Sequence, residues 1–302
     1  MRAKVIINPS SGQQNIQDNM DIVIEKLLAD KTFSHAEIFR TEKQDDAYRA
    51  ALDIQDDKVD IVIAVGGDGT VNEVINGLLD GRHDMRLAIL PAGTENDFAG
   101  FLKMPQDADE FCDMIRKNYV LDIDIGKAGT KYFINVASGG ILTDISFDVS
   151  SKAKTTLGRM AYIIEAAKQL TSSPEIRTIN VKLHAAGHVI REEILLFIVT
   201  NSPSVGGFHN AAPKASVSDG LLDVLVIHKQ SLLDLVPLFL QIMNGSHADN
   251  PSVTYFQTDE LQIECFDPEP VILDIDGEKG DALPVTITIV PHAIHLYVPL
   301  LN

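Results

Sequence analysis

The 302-residue sequence lacks any apolar run near the roughly 20 residues that span a bilayer. Its N-terminus has too few apolar residues for a signal peptide, and the most apolar helix candidate, Leu232 to Met243, is interrupted by Asp234 and Pro237. Cysteine is also scarce. Cys112 and Cys265 form no CxxC pair and lie beside apolar residues, which indicates buried, reduced thiols. These absences predict a soluble, cytoplasmic protein.

Basic residues are in short supply. The chain has 25 Lys and Arg against 43 Asp and Glu, which gives a formal net charge of −18. A nucleic-acid partner is therefore not expected, because the phosphate backbone would be repelled. Simple electrostatic attraction to an anionic membrane is disfavoured for the same reason.

Several common catalytic motifs are missing. The sequence contains no GxxxxGK[ST] phosphate loop, no HExxH zinc motif and no GxSxG nucleophile elbow. A dinucleotide fingerprint would need a glycine three residues after Gly69, and Asn72 occupies that position. Walker-type NTPases, HExxH metalloproteases, serine hydrolases and Rossmann dehydrogenases are therefore disfavoured.

The most informative stretch that is present runs from Asp60 to Leu79. Ile61 to Val65 is an unbroken apolar run, typical of a strand covered on both faces. Gly66, Gly67, Asp68, Gly69 and Thr70 follow it, and then apolar residues recur with helical spacing (Val71, Val74, Ile75 and Leu78). The pattern predicts a strand, a glycine-rich turn and a helix whose N-terminus favours a phosphate group.

A carboxylate in a phosphate loop needs a reason, because Asp68 would repel the phosphate. Mg²⁺ is the usual bridge between a carboxylate and phosphate oxygens. The alternative is that Asp68 only caps the helix, which would leave the three flanking glycines without a role.

The first part of the chain alternates strands and helices, with further strands predicted at Ala3–Asn8, Ala36–Arg40 and Arg86–Leu90. This alternation predicts a parallel sheet with helices on both faces, an α/β domain over residues 1–125. Ligands of such sheets bind beyond the carboxyl ends of the strands. Four polar segments fall there: Asn8 to Gly12, Thr41, Gly66 to Thr70 and Gly93 to Asp97.

After residue 120 many short strand patterns follow one another, which predicts an antiparallel β-sandwich over residues 126–292. Two helices, Leu157–Leu170 and Ser231–Met243, are expected to interrupt it. Phe133–Ala137 and Val285–Val290 are among the predicted strands, and residues 293–302 are expected to return to the first domain.

Three further acidic segments each have a functional and a simpler interpretation. Asn96 and Asp97 could serve the glycine-rich site or merely start a helix. Asp219 precedes Gly220 and could hold a hard cation or form a turn. Asp276 and Glu278 flank Gly277 and could supply the base of a phosphoryl transfer, with Glu278 orienting Asp276, or form a solvated hairpin turn.

Taken in order, the motifs NPSSG (8–12), GGDGTVNEVINGL (66–78), PAGTENDFA (91–99), SVSDGLLDVLVI (216–227) and IDGE (275–278) resemble the bacterial soluble diacylglycerol kinases and related lipid kinases. The resemblance covers nearly the whole chain. It implies an NAD-kinase-like N-terminal domain and a C-terminal β-sandwich, with the active site in the cleft between them. It also implies ATP and Mg²⁺ as cofactors and a lipid substrate at the membrane surface, which the protein would visit transiently.

The resemblance also implies roles for particular residues. Asp276 would be the general base with Glu278 beside it, while Asp68 and Asp97 would organise Mg²⁺ and the phosphates. A structural Mg²⁺ site would use Asp219, the carbonyl of Leu221 and Lys214. The ATP site would be lined by residues of the four polar segments: Asn8, Ser11, Thr41, Gly66, Gly67, Asp68, Gly69, Thr70, Gly93, Thr94 and Asn96.

Diacylglycerol is the leading acceptor. The alternatives are a sphingoid or phosphatidylglycerol-type lipid, NAD, or a non-catalytic nucleotide-binding regulator. The sequence departs from the family at Gly100, where an arginine usually follows NDFA, so that any contact from that side chain is missing or supplied elsewhere. A homodimer is expected by family analogy alone.

Overall fold

The computed structural model describes residues 1–12, 15–55, 57–93, 96–141, 178–206, 210–247 and 250–300. The chain divides into two compact units, Met1–Asp124 with His292–Asn302, and Ile125–Pro291. The predicted helix Leu157–Leu170 and the predicted site residue Thr94 lie outside the described residues.

The first unit is built on a parallel sheet in the order β2-β1-β3-β4, and the last part of β15 pairs with β4 in parallel. β3 is buried at every position, as its unbroken apolar run predicts. The strands are β1 (Arg2–Ile7), β2 (His35–Arg40), β3 (Ile61–Gly66), β4 (Arg86–Pro91) and β15 (Val285–Tyr297).

Five helices accompany this sheet in the described part of the first unit. Strand β2 pairs with one edge of β1, β3 pairs with the other edge, and β4 pairs with β3. Right-handed crossovers then place α1 on one face and α2 with α3 on the other. The helices are α1 (Asn15–Ala29), α2 (Asp46–Leu52), α3 (Asp68–Asp80), α4 (Asp97–Phe101) and α5 (Ala108–Lys117).

Helix contacts agree with this arrangement. The Cys112 thiol of α5 lies 3.9 Å from the carbonyl oxygen of Val23 in α1. A Cβ atom added to Gly77 of α3 would come within 2.3 Å of the carbonyl oxygen of Tyr48 in α2. Helices α2 and α3 therefore meet closely at a glycine.

The second unit is antiparallel in every strand pair described within it, and its core includes Phe133, Phe197 and Leu273. Its elements are β5 (Val120–Ala128), whose first residues belong to the first unit, β6 (Lys131–Phe133), β7 (Val136–Gly140), β8 (Ile179–Ala185), β9 (His188–Thr200), β10 (Leu222–His228), α6 (Leu232–Asn244), β11 (Val253–Thr258), β12 (Glu260–Cys265), β13 (Ile272–Ile275), β14 (Glu278–Ala282) and the first part of β15.

Two strand predictions were wrong in detail. The predicted strand Phe133–Ala137 is broken at Ile134 and Asn135, because the N–H groups of these residues bond a side chain instead of a neighbouring strand. The predicted strand Val285–Val290 is too short, because pairing continues past Pro291 and the single strand β15 ends at Tyr297, with His292 inside it at a φ of 50°. Helix α6 confirms the second predicted helix and continues past Pro237.

Candidate functional site

The carboxyl ends of four parallel strands lie side by side in the first unit. Ile7 pairs with Arg40 on one side and with Val65 on the other, and Gly66 pairs with Pro91. The polar segments that follow these strands therefore begin next to one another, as predicted. Backbone bonds continue the pattern, because the N–H of Asn8 donates to Val65 at 2.9 Å and that of Thr41 to Ile7 at 2.9 Å.

Glycines allow three of these segments to touch through their backbones. A Cβ atom added to Gly93 would lie 2.6 Å from the Cα atom of Gly67, and one added to Gly12 would lie 2.5 Å from the carbonyl oxygen of Ala92. Such distances are too short for any larger residue. Gly12 also has a φ of 52°, a conformation that favours glycine. The glycines of the predicted phosphate loop thus bring Gly67 and Gly93 into direct contact.

Helix α3 begins inside this glycine-rich turn. Gly67 precedes its first residue, Asp68, and the N–H groups of its first turn point toward the rim of the sheet. The amide of Asn8 donates to the hydroxyl of Thr70 at 3.0 Å, and the hydroxyl of Ser11 donates to the carbonyl of Asn8 at 2.7 Å. These bonds hold the first segment against the start of α3.

Two acidic residues, Asp68 at the start of α3 and Asp97 at the start of α4, lie next to each other. The N–H of Asp97 donates to Oδ2 of Asp68 at 3.4 Å. Burial is the main cause that raises the pKa of Asp68, and the negative charge of Asp97 raises it further. A divalent cation at Asp68 would therefore offset a charge that its surroundings disfavour, which fits the predicted magnesium site.

Asn96 stabilises the backbone of Gly93, the first residue of the polar segment that follows β4. Its amide accepts from the N–H of Gly93 at 2.9 Å and donates to the carbonyl of Gly93 at 2.7 Å. The residue is buried, and its φ of 51° is one that asparagine tolerates well. Asn96 thus holds Gly93, the residue that contacts Gly67, and its predicted contact with ATP stays a prediction.

The second unit holds Asp276 on a two-residue hairpin turn between β13 and β14. Ile275 pairs with Glu278, and both Asp276 and Gly277 have positive φ values of 49° and 87°, as a type I′ turn requires. Glu278 is exposed at the start of β14. The simpler interpretation of this segment as a hairpin turn is therefore correct for its backbone.

The Asp276 carboxylate nevertheless has an unusual environment. It accepts hydrogen bonds from three consecutive backbone N–H groups, those of Ile134 at 2.8 Å, Asn135 at 3.1 Å and Val136 at 2.8 Å. Three such donors fix the carboxylate in one orientation. A solvated carboxylate in an ordinary hairpin turn would bond water and would not need these three N–H donors.

The predicted structural metal site surrounds the turn before β10. The Asp219 side chain is exposed and accepts from the N–H of Leu221 at 3.1 Å, while the carbonyl of Lys214 lies 3.5 Å from the amide nitrogen of Gln257. In the described part of the chain, no cluster of three or more His, Cys, Asp or Glu could hold a metal ion. The predicted site uses the Asp219 carboxylate and the backbone carbonyl of Leu221, which are suitable donors for magnesium, together with Lys214.

One buried carboxylate beside this site, that of Asp223, was not among the predicted site residues. Asp223 is almost completely buried and accepts from the hydroxyl of Tyr255 and from the amide of Gln257 at 3.2 Å. Burial raises its pKa to about 6, and the charge of Asp219 contributes to this shift. A signal was present in the sequence, because Asp223 is the one charged residue in the apolar run LLDVLVI.

Comparisons with known proteins agree with this architecture. Residues 2–128 match the diacylglycerol kinase catalytic domain, and residues 138–298 match the YegS C-terminal NAD kinase beta sandwich-like domain. The diacylglycerol kinase of Bacillus subtilis is 35% identical over 99% of this chain and 96% of its own length. That of Staphylococcus carnosus is 32% identical over 99% and 95%.

The chain belongs to the diacylglycerol kinase family. Solved structures agree. A diacylglycerol kinase from Bacillus anthracis superimposes with a TM-score of 0.75 at 25% identity, covering 99% of this chain and 97% of the other. A second structure from that organism gives a TM-score of 0.83 at 28% identity, covering 99% and 95%.

Family membership confirms the predicted lipid kinase and the predicted fold class, an α/β domain followed by an antiparallel β-sandwich. The individual site residues keep the status of predictions. The structure brings Asn8, Gly67, Asp68, Gly93 and Asn96 together in the first unit. In the second unit it shows Asp276 with Glu278 on one hairpin and Asp219 with Leu221 in one turn.

Proposed function

We propose that this protein transfers the γ-phosphoryl group of ATP to the hydroxyl of diacylglycerol and so produces phosphatidic acid. The observation that carries the proposal is the backbone contact between Gly67 and Gly93 at the start of α3. Close backbone approach and free helix N–H groups together suit a chain of phosphates. The relatives' names supply the acceptor class.

Residues of the first unit would bind and orient the nucleotide. The N–H groups at the start of α3 would donate to phosphate oxygens, and the side chains of Asn8, Ser11 and Thr41 lie on neighbouring strand ends. Asp68, with Asp97 nearby, would hold Mg²⁺. When bound, Mg²⁺ would neutralise charge that develops on the transferred phosphoryl group.

Asp276 would act as the general base. The three N–H groups that hold its carboxylate orient it toward one direction, which is what proton abstraction from a poised hydroxyl requires. The acceptor oxygen would lose its proton to Asp276 while it attacks the γ-phosphorus, and ADP would leave. Glu278, two residues away across the turn, would help to orient it.

The acceptor also sets where the enzyme works. Diacylglycerol resides in bilayers, so the chain would reach it at a membrane surface. Among the residues that the structure describes, no helix is long and apolar enough to cross a membrane. A homodimer stays a prediction.

A radiolabel assay tests this proposal. The protein is incubated with γ-³²P-labelled ATP and Mg²⁺ in mixed micelles that contain diacylglycerol, sphingosine or phosphatidylglycerol, and separately with NAD in the absence of lipid. We expect labelled phosphatidic acid, with loss of the product when EDTA removes Mg²⁺. Label in NAD alone, or in none of the acceptors, would overturn the proposal in favour of a soluble-alcohol kinase or a regulator.

A further inference from the structure

The segment that holds Asp276 is itself held by a buried polar cluster. Ile134, Asn135 and Val136 donate their N–H groups to the carboxylate. The carbonyl of Asn135 in turn accepts from the N–H of Asn201 at 3.0 Å, and it lies 2.8 Å from the hydroxyl of Thr200. That hydroxyl also lies 2.9 Å from the carbonyl of Ser202, its second acceptor. The N–H groups of this peptide segment thus bond Asp276, while its Asn135 carbonyl bonds the buried cluster.

Ser202 extends the cluster to the side chain of Asn135. Its hydroxyl lies within hydrogen-bond distance of Oδ1 of Asn135 and of the carbonyl of Ser204, which is 3.1 Å away. The N–H of Ser202 donates to the hydroxyl of Thr200 at 3.2 Å. Each hydroxyl has one proton, so each donates to one acceptor at a time and accepts through its lone pairs.

The burial of these groups needs a reason. Thr200 is 1% exposed, Asn201 and Ser202 are 0% exposed, and Asn135 is 7% exposed. Removing polar groups from water is unfavourable unless their hydrogen bonds are made. Apolar side chains would fill the same volume without that requirement. Here the polar groups converge on the peptide groups of 134–136, where the chain leaves β6 and enters β7.

We propose that Thr200 and Ser202 are positioning residues for Asp276, which they orient through the peptide segment 134–136. This inference rests on the proposed function for the role of Asp276. Thr200 is well placed for the task, because it ends β9 and pairs with Val136 of β7 on one side and with Asp223 of β10 on the other. The hydroxyl that orients the peptide segment 134–136 therefore lies at the end of a strand that is paired on both sides.

Three variants provide a matched test. Thr200→Val removes the hydroxyl at nearly constant volume, while Thr200→Ser keeps it. Thr258→Val removes an equally buried hydroxyl from the same unit, where it bonds the carbonyl of Glu260 at 2.7 Å. We expect Thr200→Val to lower kcat roughly 10- to 100-fold at an unchanged KM for ATP. Thr200→Ser and Thr258→Val should stay near the parent.

A double-mutant cycle separates positioning from general stability. If Thr200 acts through Asp276, adding Thr200→Val to Asp276→Asn should change the residual rate by less than about 2-fold. An equal fold loss in both backgrounds would overturn the inference. So would a parental kcat in Thr200→Val.

Amide hydrogen exchange gives a readout that does not depend on activity. Exchange of the Ile134, Asn135 and Val136 amides should be at least roughly 10-fold faster in Thr200→Val than in the parent or in Thr258→Val. Unchanged exchange would overturn the positioning role. If Asp276→Asn transfers phosphate at the parental rate, the base assignment fails, whereas the exchange result decides the role of Thr200 independently.

Discussion

The glycine contact between Gly67 and Gly93 at the rim of the first unit's sheet and the Asp276 turn in the second unit are held in place by different means. At the rim, backbone meets backbone, and Gly67 and Gly93 are in contact because neither has a side chain. At the turn, a carboxylate is held by three peptide N–H groups, and buried Thr, Ser and Asn side chains hold that peptide segment. The first site depends on the absence of side chains at two glycines, and the second depends on polar side chains.

This difference determines how each site should respond to substitution. A glycine contact tolerates no added atom, so its failure should be abrupt. A hydrogen-bonded network can lose one member and retain part of its geometry, so its failure should be graded. Substitutions at the two sites test this contrast, from the largest expected effect to the smallest.

Gly93→Ala should abolish most nucleotide-dependent turnover, with a fall of at least roughly 100-fold in kcat/KM for ATP. The added methyl would lie 2.6 Å from the Cα atom of Gly67, and backbone cannot rotate away. Gly100→Ala is the matched control, because no atom lies within 4 Å of its added methyl. Steady-state kinetics of both variants make the comparison, and parental turnover in Gly93→Ala would refute the contact.

Asn96→Gly should destabilise the first unit by about 1–3 kcal/mol, because two hydrogen bonds to Gly93 are lost. Asn96→Ala should cost about 1 kcal/mol more, since alanine resists the φ of 51°. Urea unfolding of the two variants separates the bonds from the backbone strain. Equal stabilities of Asn96→Ala and the parent would contradict the assigned role.

Asp219→Asn should remove the part of the thermal stability that depends on Mg²⁺ in the absence of nucleotide. A bound ion at 100 times its dissociation constant would contribute about 2.7 kcal/mol. Asp259→Asn, which neutralises an exposed carboxylate between β11 and β12, is the control. Calorimetric scans with Mg²⁺ and with EDTA measure the difference, and a full Mg²⁺ response in Asp219→Asn would exclude the predicted site.

His295 should contribute a small, pH-dependent stabilisation to the first unit. Hydrogen bonds to Asp122 and then to Asp84 raise its pKa, so its contribution is complete below the unfolded pKa of about 6.5. That contribution is lost as the pH rises through the higher folded pKa.

His295→Gln should therefore cost under about 1 kcal/mol near pH 6 and almost nothing near pH 9, because the side chain is more than one third exposed. Unfolding free energies across this pH range test it, with His35→Gln on β2 as the control. A cost that grows toward high pH would contradict the sign.

The same contrast between the two sites determines what the sequence could predict. The rim was predictable because three glycines directly after a buried apolar strand are typical of a phosphate-binding turn, and the parallel topology places Gly66 and Pro91 side by side. The Asp276 turn was predictable as a hairpin because Asp-Gly favours a type I′ turn. Neither pattern contains the distances or the partners of the side chains.

The network behind Asp276 could not be predicted from composition. Thr200 ends a strand, and Asn201 and Ser202 after it resemble the start of an ordinary polar turn, yet all three are buried. Their partner Asn135 lies 65 residues from Thr200 in the chain. Only tertiary packing brings these residues together, and local patterns therefore predicted an unbroken strand from Phe133 to Ala137 where the segment turns to face Asp276.

The most direct test of the account compares ATP binding with phosphate transfer in Asp276→Asn. We predict that the variant binds ATP as tightly as the parent by isothermal titration, while transfer to diacylglycerol in mixed micelles falls roughly 10²- to 10⁴-fold. Glu278→Gln should lose less, because Glu278 is exposed at the strand start. Parental transfer by Asp276→Asn would contradict the assignment of the base.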